Sequence, residues 1–89
     1  MSEFHYPNPF NPATTIRFNI PEEGKVAIRV YDILGKEVAV LINEYLQTGS
    51  HNVVWSGKDA YGSEVSSGVY FYNIRYNDQS LTKKMMLVR

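Results

Sequence analysis

The chain has 89 residues, nine Lys and Arg against nine Asp and Glu, and no cysteine. That length suits one domain rather than two, and the balanced charge excludes the basic stripe that nucleic-acid binding needs. The missing thiols exclude a disulfide framework and a thiolate metal site, although they leave the compartment open. No apolar run reaches the length of a membrane span, and no signal peptide is recognisable.

In chain order, residues 1–5, MSEFH, read as an initiator and cloning remnant, which leaves 6–89 as a single domain whose natural chain continues upstream. The stretch YPNPFNPATT follows, with Pro7, Pro9 and Pro12. Proline fixes φ, lacks the N–H of a sheet ladder and pushes its predecessor into extended geometry. Asn8 and Asn11 are therefore extended, and the segment is a stiff lead-in. Phe10 is its large apolar residue after Tyr6 and is expected to plug onto the domain.

Period-2 patterns dominate what comes next. TTIRFNI places Ile16, Phe18 and Ile20 on one face, and KVAIRVYD does the same with Val26, Ile28 and Val30. These are half-buried strands, and Pro21 with Gly24 makes the intervening PEEGK a turn. In DILGK, Asp32 can accept from backbone N–H groups ahead of it while Gly35 supplies a positive φ for a hairpin. EVAVLINEYL is apolar on both faces. Its β-branched residues favour a strand over Glu37–Ile42, with a short helix as the alternative. QTGS is loop, HNVVWSG is a short strand carrying Trp55, and KDAYGSEVSSG is a long polar loop. VYFYNIRY alternates Tyr70, Tyr72, Ile74 and Tyr76 against Phe71, Asn73 and Arg75. NDQS is a hairpin turn and LTKKMMLV a closing strand.

Six or seven evenly spaced strands without a helix predict an all-β, antiparallel β-sandwich of the immunoglobulin-like kind, without its disulfide. Gly68-Val69-Tyr70 opens a strand after a loop. Tyr70 can lay its ring on the core and return its hydroxyl to loop backbone, as a tyrosine corner does. Trp55 is the large core residue, and the core must hold by apolar burial alone.

Chemistry is sparse. Of the two histidines, His5 lies in the remnant and His51 at a strand end, without a nucleophile motif for either. Ser56-Gly57 and Ser66-Ser67-Gly68 are turn composition rather than a nucleophile elbow. Asp59 and Glu64 share a loop and are the candidate oxygens for calcium, but the loop is not an EF-hand and Lys58 adjoins Asp59. The plainer reading has Asp59 bonding loop backbone and Gly62 allowing a left-handed turn. Seven tyrosines, four phenylalanines and one tryptophan could stack on sugars, although strands enrich aromatics anyway. Lys83, Lys84 and Arg89 form a basic chain end, where lysine also protects an edge strand from pairing.

Three motifs in order carry a family resemblance. They are YPNPFNPATTIRF, then VYDILGKEV with the pattern Y-D-x-x-G-x-x-V, then SSGVYFYNI leading to TKKMMLVR. Together they resemble the C-terminal sorting domain, type A, of the type IX secretion system. With WSGKDAYGSEVSSGVYFY they also resemble the immunoglobulin-like domain of the flagellar hook-capping family. The frequent W-D-G of the latter is Trp55-Ser56-Gly57 here, so no acid stands at position 56. The resemblance covers Tyr6 to Arg89 and implies a non-catalytic module that directs secretion and surface attachment of a larger extracellular protein. It implies export across the outer membrane, followed by removal of the domain or attachment of its parent to surface lipopolysaccharide. The implied partners are outer-membrane secretion and anchoring machinery and the parent's upstream domains. Carried over to this chain, it implicates Lys83, Lys84 and Arg89 in recognition. No cofactor or membrane span is expected, and a monomer is. Two other readings remain: a carbohydrate-binding module of a secreted polysaccharide hydrolase, suggested by the aromatics, and a structural spacer.

Overall fold

The computed structural model describes residues 13–89 and the backbone of residues 3 and 4. The strands are β1 (Glu3–Phe4), β2 (Thr14–Ile20), β3 (Gly24–Tyr31), β4 (Glu37–Leu46), β5 (Gly49–Trp55), β6 (Gly68–Tyr76) and β7 (Gln79–Leu87). All pairings are antiparallel. They build one sheet in the order β1-β2-β5 and a second in the order β4-β3-β6-β7. No helix occurs among the described residues. The expected immunoglobulin-like sandwich is the architecture found. The lead-in with Pro7, Pro9, Phe10 and Pro12, and with it the expected Phe10 plug, lies outside the described residues. The backbone of Glu3–Phe4 pairs with Phe18 and Arg17 of β2.

Alternation explains the core. Ile16, Phe18 and Ile20 of β2 face Val26, Ile28 and Val30 of β3 and Tyr70, Tyr72, Ile74 and Tyr76 of β6, with Ala39, Trp55, Met85 and Leu87 completing one cluster. Ile28 stands at its centre, in register with Ile42 on one side and Ile74 on the other. Each of these strands turns one row of side chains inward, so burial follows the period of the strand.

Several boundaries differ from those expected. β7 begins at Gln79, inside the stretch expected as a turn, because Tyr76 and Arg75 of β6 pair with Gln79 and Ser80. β4 runs on to Leu46 because β3 supplies partners for it as far as Gly24, and its register shifts twice, after Ile28 and after Val30. Only Ala39 of β4 is buried, so its side chains carry little alternation by which its length could be read. β5 begins at Gly49, two residues before His51, because Ile20 and Asn19 of β2 pair with Gly49 and Ser50. At this far end of the sandwich the Tyr76 hydroxyl donates to the Glu22 carbonyl at 2.6 Å and accepts from its N–H at 3.1 Å. Thr48 likewise ties down the β2–β3 corner by donating to the Pro21 carbonyl at 2.8 Å.

Candidate functional site

The sequence motifs converge on the opposite end of the sandwich. Trp55 ends β5 and Tyr70 lies near the start of β6. Their rings meet edge to face with centroids 5.1 Å apart, a favoured aromatic geometry. The Trp55 indole N–H donates to the Lys58 carbonyl at 2.9 Å. The Tyr70 hydroxyl donates to the Ser66 carbonyl at 2.8 Å, as a tyrosine corner requires. Both rings are buried, and both polar tips are spent on the loop that joins β5 to β6. That loop is thus suspended from the core at its two ends.

Within the loop, Asp59 makes a tight turn. Its Oδ1 accepts from the N–H of Tyr61 at 2.9 Å and of Ser63 at 3.0 Å, while Gly62 takes a φ of 83°. The β3–β4 turn is built the same way. Asp32 Oδ1 accepts from the N–H of Leu34 and of Lys36, each at 2.9 Å, and Gly35 also has a φ of 83°. In both turns the glycine N–H donates to the aspartate carbonyl, and the aspartate N–H donates to the carbonyl four residues on. The cause is a seven-residue repeat, DILGKEV at 32–38 and DAYGSEV at 59–65. The aspartate closes the turn and the glycine supplies the left-handed residue. The terminal valines, Val38 and Val65, pack against the core. The glutamates each reach an arginine: Glu37 pairs with Arg29 at 3.4 Å and Glu64 with Arg89 at 3.6 Å. The Ala60 N–H donates to the Val38 carbonyl at 3.0 Å, which sets the two repeats side by side. Taken singly, each turn shows only its Asp and Gly; the spacing D-x-x-G-x-E-V, which recurs at 32–38 and 59–65, is the signal that links them.

Arg89 closes this end. Its backbone N–H donates to Ser67 Oγ at 3.0 Å, and its guanidinium donates to the carbonyls of Val65 and Gly57. Gly57 is buried, with a φ of 74°. A Cβ there would stand 2.8 Å from Arg89 Nη2, so a bulkier residue could not coexist with this clamp.

The three cations expected to act together are kept apart. Lys83 and Lys84 are adjacent on β7, opposite Tyr72 and Phe71, so the pleat turns them to opposite faces of the sheet. Lys83 follows the row of Met85 and Leu87, and Lys84 that of Thr82 and Met86. Both are exposed. Arg89 lies beyond the strand and grips the loop. Asp59 and Glu64 do not converge either, since one carboxylate closes a turn and the other faces Arg89. Among the described residues no group of three or more His, Asp and Glu could hold a metal ion. His51 stacks on Phe18 with ring centroids 5.6 Å apart, and its Nε2 lies 2.7 Å from the Gln47 carbonyl oxygen. Tyr45 and Tyr61 are the exposed aromatics among the described residues. They stand at opposite ends of the sandwich and form no common platform for a sugar. The Tyr45 hydroxyl has its pKa raised, by desolvation first and then by the carboxylate of Glu23.

The family of secretion system C-terminal sorting domains matches residues 5–88. This chain belongs to that family. The sorting domain is of the type IX kind, and the family is non-catalytic. Among solved structures, FlgD from P. aeruginosa superposes with a TM-score of 0.66 at 25% identity, over 86% of this chain and 60% of that one. The second resemblance, to the hook-capping fold, is thereby borne out. The sorting domain spans less than two thirds of that FlgD chain. A comparison with curated proteins finds no match. No helix among the described residues is long and apolar enough to cross a membrane.

Proposed function

We propose that this sorting domain is the C-terminal module of a larger exported protein, and that it both directs that protein to the type IX machinery and hands it on for attachment at the cell surface. The family membership over residues 5–88 carries the reading. The docking element is β7. It pairs with β6 in unbroken register from Gln79 to Leu87, whereas β4, the other edge of the same sheet, is interrupted by register shifts. A regular edge is a template for an added strand, and lysine on it deters indiscriminate pairing. Lys83 and Lys84 would select an acidic partner, and Arg89 would act by holding the loop beside the strand end.

The test is export of a fluorescent passenger fused ahead of residue 1, so that β1 is kept, in a host with this secretion system. Wild type is expected at the surface or in the medium. Lys84→Glu leaves the fold intact, since the side chain is exposed, and is expected to retain passenger in the periplasm. Unchanged surface display by Lys84→Glu and by the Lys83→Glu/Lys84→Glu pair would remove β7 from the mechanism. Failure of the wild-type fusion to leave the cell would remove the sorting function itself. Replacement of the domain by an unrelated sandwich separates sorting from a spacer role, because a spacer would survive the swap.

A further inference from the structure

The three most exposed large apolar side chains among the described residues are Tyr61 at 93%, Leu34 at 90% and Ile33 at 71%. All three stand on the twin D-x-x-G turns. Leu34 and Tyr61 occupy the same position of the repeat, the residue before the glycine, and Ile33 and Ala60 the one before that. Solvated loops do not need apolar side chains at their tips, and each turn holds its tip rigidly through the aspartate and the glycine. Between the turns lies a cleft of about 440 Å³, lined by Lys36, Val38, Ala60, Tyr61 and Val65 among others, a size that accepts side chains from a partner.

The charges beside these tips are unequal in availability. Glu37 and Glu64 are matched by Arg29 and Arg89, and Asp32 and Asp59 bond their own turns. Lys36 and Lys58 are exposed and have no side-chain partner among the described residues. Lys36 lines the cleft between the turns together with Glu37 and Asp59, and Lys58 lines the groove beside Trp55 and Ala60 together with Asp59. The surface therefore offers rigid apolar knobs beside two lysines that hold no ion pair among the described residues, Lys36 and Lys58.

We propose that the twin turns are a docking surface for a folded protein that presents apolar pockets rimmed by carboxylates, with Leu34 and Tyr61 as the anchors. This rests on the sorting function, and it places recognition at the end of the sandwich in addition to the β7 edge. Rigid anchors lose little entropy on binding, and tyrosine is enriched among residues that dominate interfaces. A cleft walled by Tyr61 of one turn and by Lys36 to Val38 beside the other suits a shaped protein surface better than a lipid bilayer.

The experiment uses the full domain fused to the passenger and compares wild type, Leu34→Ser/Tyr61→Ser, Lys36→Glu/Lys58→Glu, and Tyr45→Ser as a control at the opposite end. Thermal midpoints are measured on the purified domains. Loss of an anchor is expected to cut the exported-to-periplasmic ratio about tenfold or more, the scale of a lost interface anchor. The two test variants should fall, and Tyr45→Ser should match wild type, with no change in thermal midpoint. Export of both test variants at the wild-type level overturns the proposal and leaves the sorting function standing. Absence of export by wild type overturns the sorting function instead. Co-sedimentation with vesicles of phosphatidylcholine and phosphatidylglycerol, or with lipopolysaccharide vesicles, lost in the Leu34→Ser/Tyr61→Ser pair, would assign the tips to a membrane and overturn the proposal. A wild-type dimer that the same pair converts to monomer would assign them to a second copy and overturn it as well.

Discussion

Gly57→Ala tests how the C-terminal clamp is held. Gly57 lies at a φ of 74°, where an added Cβ costs about 1–2 kcal/mol in torsional strain. The same Cβ meets Arg89 Nη2 at 2.8 Å and Leu87 Cδ1 at 3.2 Å. A guanidinium on a flexible stem moves before backbone does, so the clash resolves by displacing Arg89. The displaced group leaves the carbonyls of Gly57 and Val65 and the carboxylate of Glu64. Hydrogen bonds to a charged group are worth roughly 1.5–3 kcal/mol, but the Arg89 side chain is 23% exposed, so about 1–2 kcal/mol is the discounted loss. The single variant should therefore lose about 2–4 kcal/mol in all. At 4–8 °C per kcal/mol for a domain of this size, that is a fall of roughly 10–30 °C in Tm. In an Arg89→Ala background the guanidinium is gone and Leu87 need give by only a few tenths of an ångström, so Gly57→Ala should cost little beyond the torsional part, about 1–2 kcal/mol. Urea unfolding followed by the fluorescence of the single tryptophan measures all four corners of the cycle. Strict additivity, within about 0.5 kcal/mol, would refute the clamp.

Other outcomes follow from the same geometry. Tyr70→Phe keeps the ring against Trp55 and strands the Ser66 carbonyl, so it should cost about 1 kcal/mol in urea unfolding. Asp32→Ala and Asp59→Ala each free two backbone N–H groups and should cost about 1–2 kcal/mol apiece, equal within a few tenths, with milder Asn variants that still accept. Amide exchange at Leu34 and Lys36, or at Tyr61 and Ser63, should accelerate only in the matching variant, as NMR would show. Trp55→Ala empties the largest fully buried site and should cost about 3–5 kcal/mol, which in a domain this small leaves little folded protein at 37 °C. Glu64→Gln should cost less than about 1 kcal/mol, because the carboxylate is largely exposed, and the difference should shrink with added salt.

Where one face of a strand is buried, local pattern suffices to find it. β2 was legible to the residue, and the inward rows of β3 and β6 were legible too, because every second side chain is apolar. The tyrosine corner could also be foreseen, since a tyrosine just after a loop-ending glycine has loop carbonyls within reach. The D-x-x-G-x-E-V repeat was equally open to reading, as was the separation of Lys83 from Lys84, which follows from adjacency on any strand. β4 and the start of β5 were not, because their lengths are set by hydrogen bonds to β3 and β2 rather than by their own side chains. The juxtaposition of the two turns depends on a bond between Ala60 and Val38, 22 residues apart by their numbers. The clamp of Arg89 on Gly57, Glu64 and Val65 likewise joins distant segments, and no local periodicity encodes it. Strand periodicity is a property of neighbours in the chain; which ends of the strands come together, and which charges are consumed there, is a property of the closed sandwich.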